Sequence, residues 1–103
     1  VKEKCNMKYA AIMWYEWHPS KKGEYAVALE FPDLWNAGFG MSYTAGSSRK
    51  DAIEAGKEIL EMAREEAEER GMILPDPTPL QKIDIRTDEE FSVFRVIVEY
   101  VEI

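Results

Sequence analysis

The 103-residue sequence is poor in cysteine, histidine and basic residues, and each shortage argues against a class of function. Its one cysteine, Cys5, cannot form a disulfide within the chain, which is typical of a reducing compartment and predicts a cytoplasmic protein. Its one histidine, His18, lies in a predicted loop, whereas a zinc site needs three or four ligands. Thirteen Lys and Arg against twenty Asp and Glu leave a net charge of −7, which opposes binding to a phosphate backbone. We therefore predict no metal site and no direct contact with nucleic acid.

Long apolar runs and nucleotide-binding motifs are also missing. No run approaches about 18 consecutive apolar residues, and the polar start lacks the apolar stretch of a secretion signal, so neither a membrane span nor export is predicted. The segment Gly38-Phe39-Gly40 lacks the third glycine of a dinucleotide loop and precedes a predicted strand. No serine stands in a Gly-x-Ser-x-Gly elbow. We therefore expect no cofactor and no hydrolase triad.

The residues that are present fit one domain over residues 1–103. Apolar residues make up 46% of the chain and aromatic residues 12%, enough for a single core. Nine of the twelve aromatic residues precede residue 48, while the excess of acids lies in the second half. This division predicts that most of the sheet lies in the first half of the chain.

The pattern of apolar residues predicts an α+β fold with the order β-β-β-α-β. A loop from Pro32 to Gly40 is expected between the second and third strands, and three prolines are expected to make an extended connection after the helix. A single helical crossing would make the last strand parallel to the first and third, so we expect a mixed four-stranded sheet. The strands are predicted at Lys8–Trp17, Tyr25–Phe31, Phe39–Ala45 and Phe91–Ile103, and the helix at Ser48–Arg70.

The predicted helix carries its own start and stop signals and one apolar stripe. Ser48 and Asp51 match a capping box, and Gly71 is expected to end the helix, with residues 72–74 folding back onto its last turn. Gly56 in the middle of the stripe predicts a close approach of the helix backbone to an aromatic ring of the sheet. The stripe that should face the sheet consists of Ala52, Ile53, Gly56, Ile59, Leu60, Ala63 and Ala67.

Two sets of residues are candidate contacts for a partner. The helix acids Glu54, Glu58, Glu61 and Glu65 either solvate an exposed face or form a docking surface for a basic protein. Trp35 and Phe39 in the predicted loop either cover the end of the core or anchor an interface, and we group Asp33 with them.

Carboxylates near strand ends leave open an enzymatic alternative. Glu16, Glu30 and Asp33 could converge on a magnesium ion for nuclease chemistry. Nothing in their spacing requires this, so we do not predict an enzyme, and a metal-dependent nuclease remains the rival hypothesis.

Several short segments follow one another in an order that is informative as a whole. They are Met7-Lys8-Tyr9-Ala10, Phe31-Pro32-Asp33-Leu34, Thr44-Ala45-Gly46-Ser47-Ser48 with Asp51-Ala52, and Gly71 followed by Pro75-Asp76-Pro77. Taken in this order, they resemble the HicB antitoxin family over about residues 7 to 103. The resemblance implies a partial ribonuclease-H-like fold without nuclease activity and with strand order 3-2-1-4. It also implies stoichiometric neutralisation of a small basic, mRNA-cleaving toxin of the HicA type, and self-association as a homodimer or higher homo-oligomer.

The sequence departs from the family pattern in two places that matter for function. The Pro-Gly-Cys that usually follows the Phe-Pro-Asp-Leu motif is replaced by a longer run, Trp35 to Ser42, so this loop could meet a different partner. The sequence ends with the last predicted strand, so we expect no C-terminal DNA-binding domain and no operon autorepression by this chain alone. A self-associating HicB-like module without a toxin is therefore a further alternative.

Overall fold

Four strands and one long helix form the fold in the computed structural model, which describes residues 7–85 and 93–103. The α+β class and a long helix packed on a four-stranded sheet are confirmed. Cys5, and the first two residues of the predicted last strand, Phe91 and Ser92, lie outside the described residues. The elements are β1 (Lys8–Trp17), β2 (Tyr25–Glu30), α1 (Pro32–Asn36), β3 (Tyr43–Gly46), α2 (Arg49–Arg70), a 3-10 turn (Leu80–Lys82) and β4 (Val93–Glu102).

All three strand pairings are antiparallel, and the strands lie in the order β3-β2-β1-β4. The order that the family resemblance implies is therefore confirmed. The predicted parallel β4 is wrong, and the sheet is antiparallel rather than mixed. That prediction assumed that the helix is the only crossing between β3 and β4.

A second crossing reverses the direction of β4. After α2, the chain reaches the start of β1, where the Tyr9 hydroxyl donates a 2.5 Å hydrogen bond to the carbonyl of Pro75. The proline-rich segment then runs along the sheet face opposite α2, where Ile83 and Trp14 line the same cleft. β4 consequently starts beside the end of β1 and runs antiparallel to it.

The segment between β2 and β3 differs from the predicted loop. Pro32 occupies the first turn of α1, where its fixed φ suits a helix and its missing N–H costs nothing. β3 is only four residues long, and the Phe31 N–H donates to the carbonyl of Ser42 before the strand begins. Phe39 is buried whereas Met41 is half exposed, so they do not share a strand face as predicted.

The stripe of α2 packs on the sheet as predicted. Every residue of the stripe is buried except Ile53, which is partly buried against the core. A β-carbon added to Gly56 would lie 3.2 Å from a methyl carbon of Leu29 and 3.4 Å from Cζ of Phe31. The close approach predicted from Gly56 is therefore confirmed, with one aliphatic and one aromatic neighbour.

The ends of α2 follow the predicted signals with two differences. The Ser48 hydroxyl accepts a hydrogen bond from the Asp51 N–H at 3.1 Å, but the Asp51 carboxylate accepts from the Ser47 hydroxyl instead of completing a capping box. Gly71 is left-handed (φ 63°), and the Met72 N–H bonds back to the carbonyl of Ala67, as in a Schellman motif. Residues 72 and 74 pack against the core, whereas residue 73 is 91% exposed and does not fold back.

One residue of β4 lies on an unexpected face. The pattern predicts that Phe94 shares a face with Val96, Val98 and Tyr100. A bulge shifts the register between β1 and β4 at this point. The Phe94 ring stacks on Trp17 at a centroid distance of 4.1 Å and also contacts the rings of Tyr15 and Tyr25. Bulges add one residue to a strand and so reverse the alternation beyond them.

Candidate functional site

The acidic face of α2 is the first candidate site. The acids at positions 54, 58, 61 and 65 are all exposed, on the side of the helix opposite the buried stripe. Residues spaced by three and four positions share one helix face, so these carboxylates form a row about 17 Å long. The structure therefore brings together all four of the helix residues proposed from the sequence, namely Glu54, Glu58, Glu61 and Glu65.

Most of this row carries charge that the chain itself does not neutralise. Glu61 pairs with Arg64 at 2.9 Å within the helix. No ion pair among the described residues includes Glu54, Glu58 or Glu65. Exposed carboxylates at this spacing repel one another and attract cationic groups, so the face favours a basic surface over a neutral one.

Glu66, on the same helix, has a structural role that the sequence did not reveal. Its carboxylate accepts the N–H of Gly40 at 3.1 Å and pairs with Arg70 at 2.7 Å. These bonds attach the segment after α1 to the last turns of α2. The contact spans 26 positions in the sequence, so no local pattern could have identified it.

The loop residues proposed as partner contacts are separated by the structure. Asp33 is buried, and its carboxylate accepts the N–H of Thr78 at 2.8 Å and the hydroxyl of Thr78 at 2.6 Å. Phe39 is 6% exposed and belongs to the hydrophobic core. Neither side chain is free to contact a partner, so their assignment to an interface is corrected. Trp35 is 63% exposed and is the only one of the three on the surface.

The Trp35 side chain lies at the rim of a cleft of about 260 Å³ on the sheet face opposite α2. Tyr43 of β3 is 55% exposed and pairs with Glu30, another residue of this cleft. Large exposed aromatic side chains are common at protein interfaces. The sequence pattern singles out Trp35, whereas it places Tyr43 only within a strand.

A second aromatic group lies at the other end of the sheet. The rings of Trp17, Tyr25 and Phe94 contact one another, and each is at least 40% exposed. Tyr15 lies beneath them and is buried. The alternation along β1 and β2 could have predicted that Trp17 and Tyr25 lie side by side. No sequence signal predicts the bulge that brings Phe94 next to them.

Two side chains within residues 7–85 and 93–103 have shifted pKa values, and both shifts have structural causes. Burial raises the pKa of the Tyr9 phenol, and the negative charges of Asp33 and Asp76 raise it further. The hydrogen bond and charge of Glu99 raise the pKa of the exposed Arg49 guanidinium. The phenol stays protonated and able to donate to Pro75, which ties the chain after α2 to β1.

The described residues contain no recognisable metal centre. In residues 7–85 and 93–103, no three His, Cys, Asp or Glu side chains are grouped so that they could hold a metal ion. Glu16, Glu30 and Asp33 are therefore not brought together as such a group. Over the same ranges, no helix has both the length and the apolar character needed to cross a membrane.

Comparison with known proteins adds no relative. No protein-family model, no curated protein and no solved structure matches this chain. The strongest feature of the candidate site is the row of exposed carboxylates on α2, a helix whose opposite side is fixed to the sheet.

Proposed function

We propose that this chain is a HicB-like antitoxin that acts in the cytoplasm by binding a small basic, mRNA-cleaving toxin of the HicA type. Binding is stoichiometric and blocks the toxin without a chemical step. The motif order described above suggests the family, and the acidic face of α2 supports the kind of partner. The single observation on which the proposal depends is the unneutralised row at Glu54, Glu58 and Glu65.

The row suits a basic partner for a physical reason. Charged groups on an interface rim accelerate encounter and reject partners of the wrong sign. A toxin that binds RNA presents a cationic surface, because RNA carries one negative charge at each phosphate. Covering that surface with carboxylates both holds the toxin and occupies the region where RNA would bind.

The test is binding of a purified toxin encoded beside this protein, with matched charge reversals. The Glu58→Lys/Glu65→Lys double variant should lower the association rate about tenfold or more at low salt, because it places two cations within the row. The wild-type complex should also weaken as salt rises. Stopped-flow fluorescence or surface plasmon resonance measures both effects.

The control is the Glu16→Lys/Glu24→Lys double variant. Both residues are exposed and lie outside α2. The two substitutions change the net charge of −7 by +4, as the α2 double variant does. This variant should retain most of the wild-type association rate. Equal losses in both variants would show that only net charge matters, and failure to bind any small basic neighbour would refute the antitoxin proposal.

A further inference from the structure

The outer edge of β4 is a long unpaired strand edge. β4 contains ten residues and lies at one end of the sheet order, and no other strand among the described residues pairs with its outer side. Such an edge presents a row of backbone N–H and C=O groups that can pair with another strand. Proteins usually protect edges by shortness, proline, charged residues such as lysine, or a bulge. Val93–Glu102 contains neither proline nor lysine, its bulge lies before Val96, and its charged residues include one of each sign at positions 95 and 99.

We propose that this edge pairs with β4 of a second copy of the chain, antiparallel, with the two-fold axis at Ile97. The segment Arg95-Val96-Ile97-Val98-Glu99 is complementary to itself when reversed. Each Arg95 then faces Glu99 of the second copy, each Val96 faces Val98, and Ile97 faces its own equivalent. Opposite charges and β-branched side chains at directly opposed positions stabilise antiparallel strands.

Neighbouring registers lack this complementarity. Centring the pair on Val96 places Arg95 opposite Ile97, and centring it on Val98 places Glu99 opposite Ile97. Centring it on Arg95 or Glu99 sets like charges against each other, which is destabilising. The register centred on Ile97 is the one among these five that pairs both charged residues and keeps the apolar residues together.

Contacts within the chain hold the side chains of Arg95 and Glu99, the two charged ends of the segment from 95 to 99. The Arg49 guanidinium of α2 donates to both oxygens of the Glu99 carboxylate. The Glu99 side chain remains 30% exposed, so the lone pairs that Arg49 leaves unused can accept from another guanidinium. The Arg95 guanidinium lies over the Tyr15 ring at 5.8 Å, and residue 95 is exposed. The bulge next to Arg95 interrupts the regular strand, so we expect regular pairing with a second copy over the five complementary positions, 95 to 99.

The expected assembly is a continuous eight-stranded antiparallel sheet. A two-fold axis through this strand pair is perpendicular to the sheet, so both copies of α2 lie on the same side. Their acidic faces remain exposed, so the interface is separate from the surface proposed for toxin binding. The inference depends only on β4, and its failure would leave the toxin-binding test unchanged.

Two charge variants test the register directly. Arg95→Glu sets two glutamates against each other across the axis, and Glu99→Arg sets two arginines against each other. Each variant alone should weaken the dimer about tenfold or more in sedimentation velocity over a concentration series. An equal mixture of the two should recover the dimer, because every Glu of one chain then faces an Arg of the other.

The charge reversal Glu102→Arg is the matched control on the same strand. Glu102 lies outside the five complementary positions, so this variant should remain dimeric. Mixing it with Arg95→Glu should leave the Arg95→Glu chains monomeric, so the dimer content should not exceed that of the two proteins measured separately. Far-UV circular dichroism confirms that each variant is folded. A wild-type monomer, or a mixture of Arg95→Glu and Glu99→Arg that stays monomeric, would refute the proposal.

A cysteine on the axis gives a second measurement that does not depend on charge. In a Cys5→Ser background, Ile97→Cys should form a covalent dimer with a short thiol cross-linker, since opposed β-carbons lie about 5 Å apart. Tyr100→Cys should not, because its two copies are separated by six strand residues, or about 20 Å. Equal cross-linking at both positions would contradict the register centred on Ile97.

Discussion

The two edges of the sheet are protected in different ways. β3 is four residues long, and its last residue, Gly46, lies directly against the start of α2. β4 is ten residues long, and its contact with α2 includes one exposed ion pair, between Arg49 and Glu99. β3 is therefore protected by its shortness and lies close under α2, whereas the long outer edge of β4 stays available for pairing.

The close contact between β3 and α2 depends on the absence of a side chain at Gly46. A β-carbon on Gly46 would lie 2.5 Å from the backbone nitrogen of Ala52 and 2.8 Å from the carbonyl carbon of Asp51. Backbone atoms of a helix cannot move aside as a flexible side chain can. β3 is therefore held against α2 by backbone packing, which is close and intolerant of added volume.

Gly46→Ala is expected to have the largest effect on this comparison. The added methyl group must push the N-terminus of α2 away from β3, so the free energy of unfolding should fall by about 2 to 3 kcal/mol. Urea denaturation followed by circular dichroism measures the change. Gly40→Ala is the control, because its β-carbon would meet only the Glu66 carboxylate, at 3.6 Å, and should change stability by about 0.5 kcal/mol or less. Equal effects would show that β3 is not held as described.

Tyr9→Phe tests the connection that leads to the open edge. It removes the hydrogen bond from the Tyr9 hydroxyl to the Pro75 carbonyl, which should cost about 1 kcal/mol at neutral pH. Tyr43→Phe is the control, because this exposed hydroxyl forms no hydrogen bond among the described residues. An equal loss of stability in both variants would show that the hydrogen bond from Tyr9 to Pro75 does not stabilise the fold.

The pH dependence of the Tyr9→Phe effect has a definite sign. The pKa of Tyr9 is raised in the folded protein above its ordinary value of 10.0, chiefly by burial, so the folded state holds this proton more tightly than the unfolded state. The stability difference between wild type and Tyr9→Phe should be complete below pH 10 and shrink as the pH rises through the folded pKa. Denaturation curves at neutral and alkaline pH measure it, and a difference that grows with pH would contradict the burial of this phenol.

Arg49→Gln is expected to have the smallest effect. The ion pair with Glu99 is exposed to solvent, so its loss should lower the free energy of unfolding by about 0.5 kcal/mol at low salt and by less at high salt. Lys50→Gln is the control, because Lys50 is exposed and belongs to no ion pair of the described residues. A loss of stability as large as that of Gly46→Ala would mean that α2 holds β4 as firmly as it holds β3.

The sequence predicted the elements whose signals are local. The Ser48 cap, the apolar stripe and Gly71 lie within one stretch of chain, and together they gave the correct bounds of α2. The same stretch gave the acidic face, because the helical period places the acids opposite the stripe. The apolar and aromatic density of Lys8–Trp17 and the period-two alternation of Tyr25–Phe31 gave the first two strands. The loop between them, His18 to Gly23, contains proline, lysine and glycine and gave the hairpin.

The errors concern residues whose neighbours are distant in the chain. Asp33 and Phe39 lie in a segment predicted as a loop, where the sequence leaves open whether Phe39 covers the core or contacts a partner, and Asp33 is grouped with it. Their burial depends on the core and on Thr78, which lies 45 positions from Asp33. The face of Phe94 depends on a bulge in its pairing with β1. Propensity and periodicity carry no information about such partners.

The sequence by itself determined that this chain forms an antiparallel hairpin and one amphipathic helix with a carboxylate row, since hydrophobic period and capping act over a few residues. Only the tertiary structure decided the direction of β4 and the open edge that β4 presents. These depend on the path of residues 75–85 across the second face of the sheet, and that path is selected by contacts such as Tyr9 with Pro75 and Asp33 with Thr78. A chain can make such contacts only after its core has brought distant segments together, because loop closure costs entropy that local interactions cannot repay.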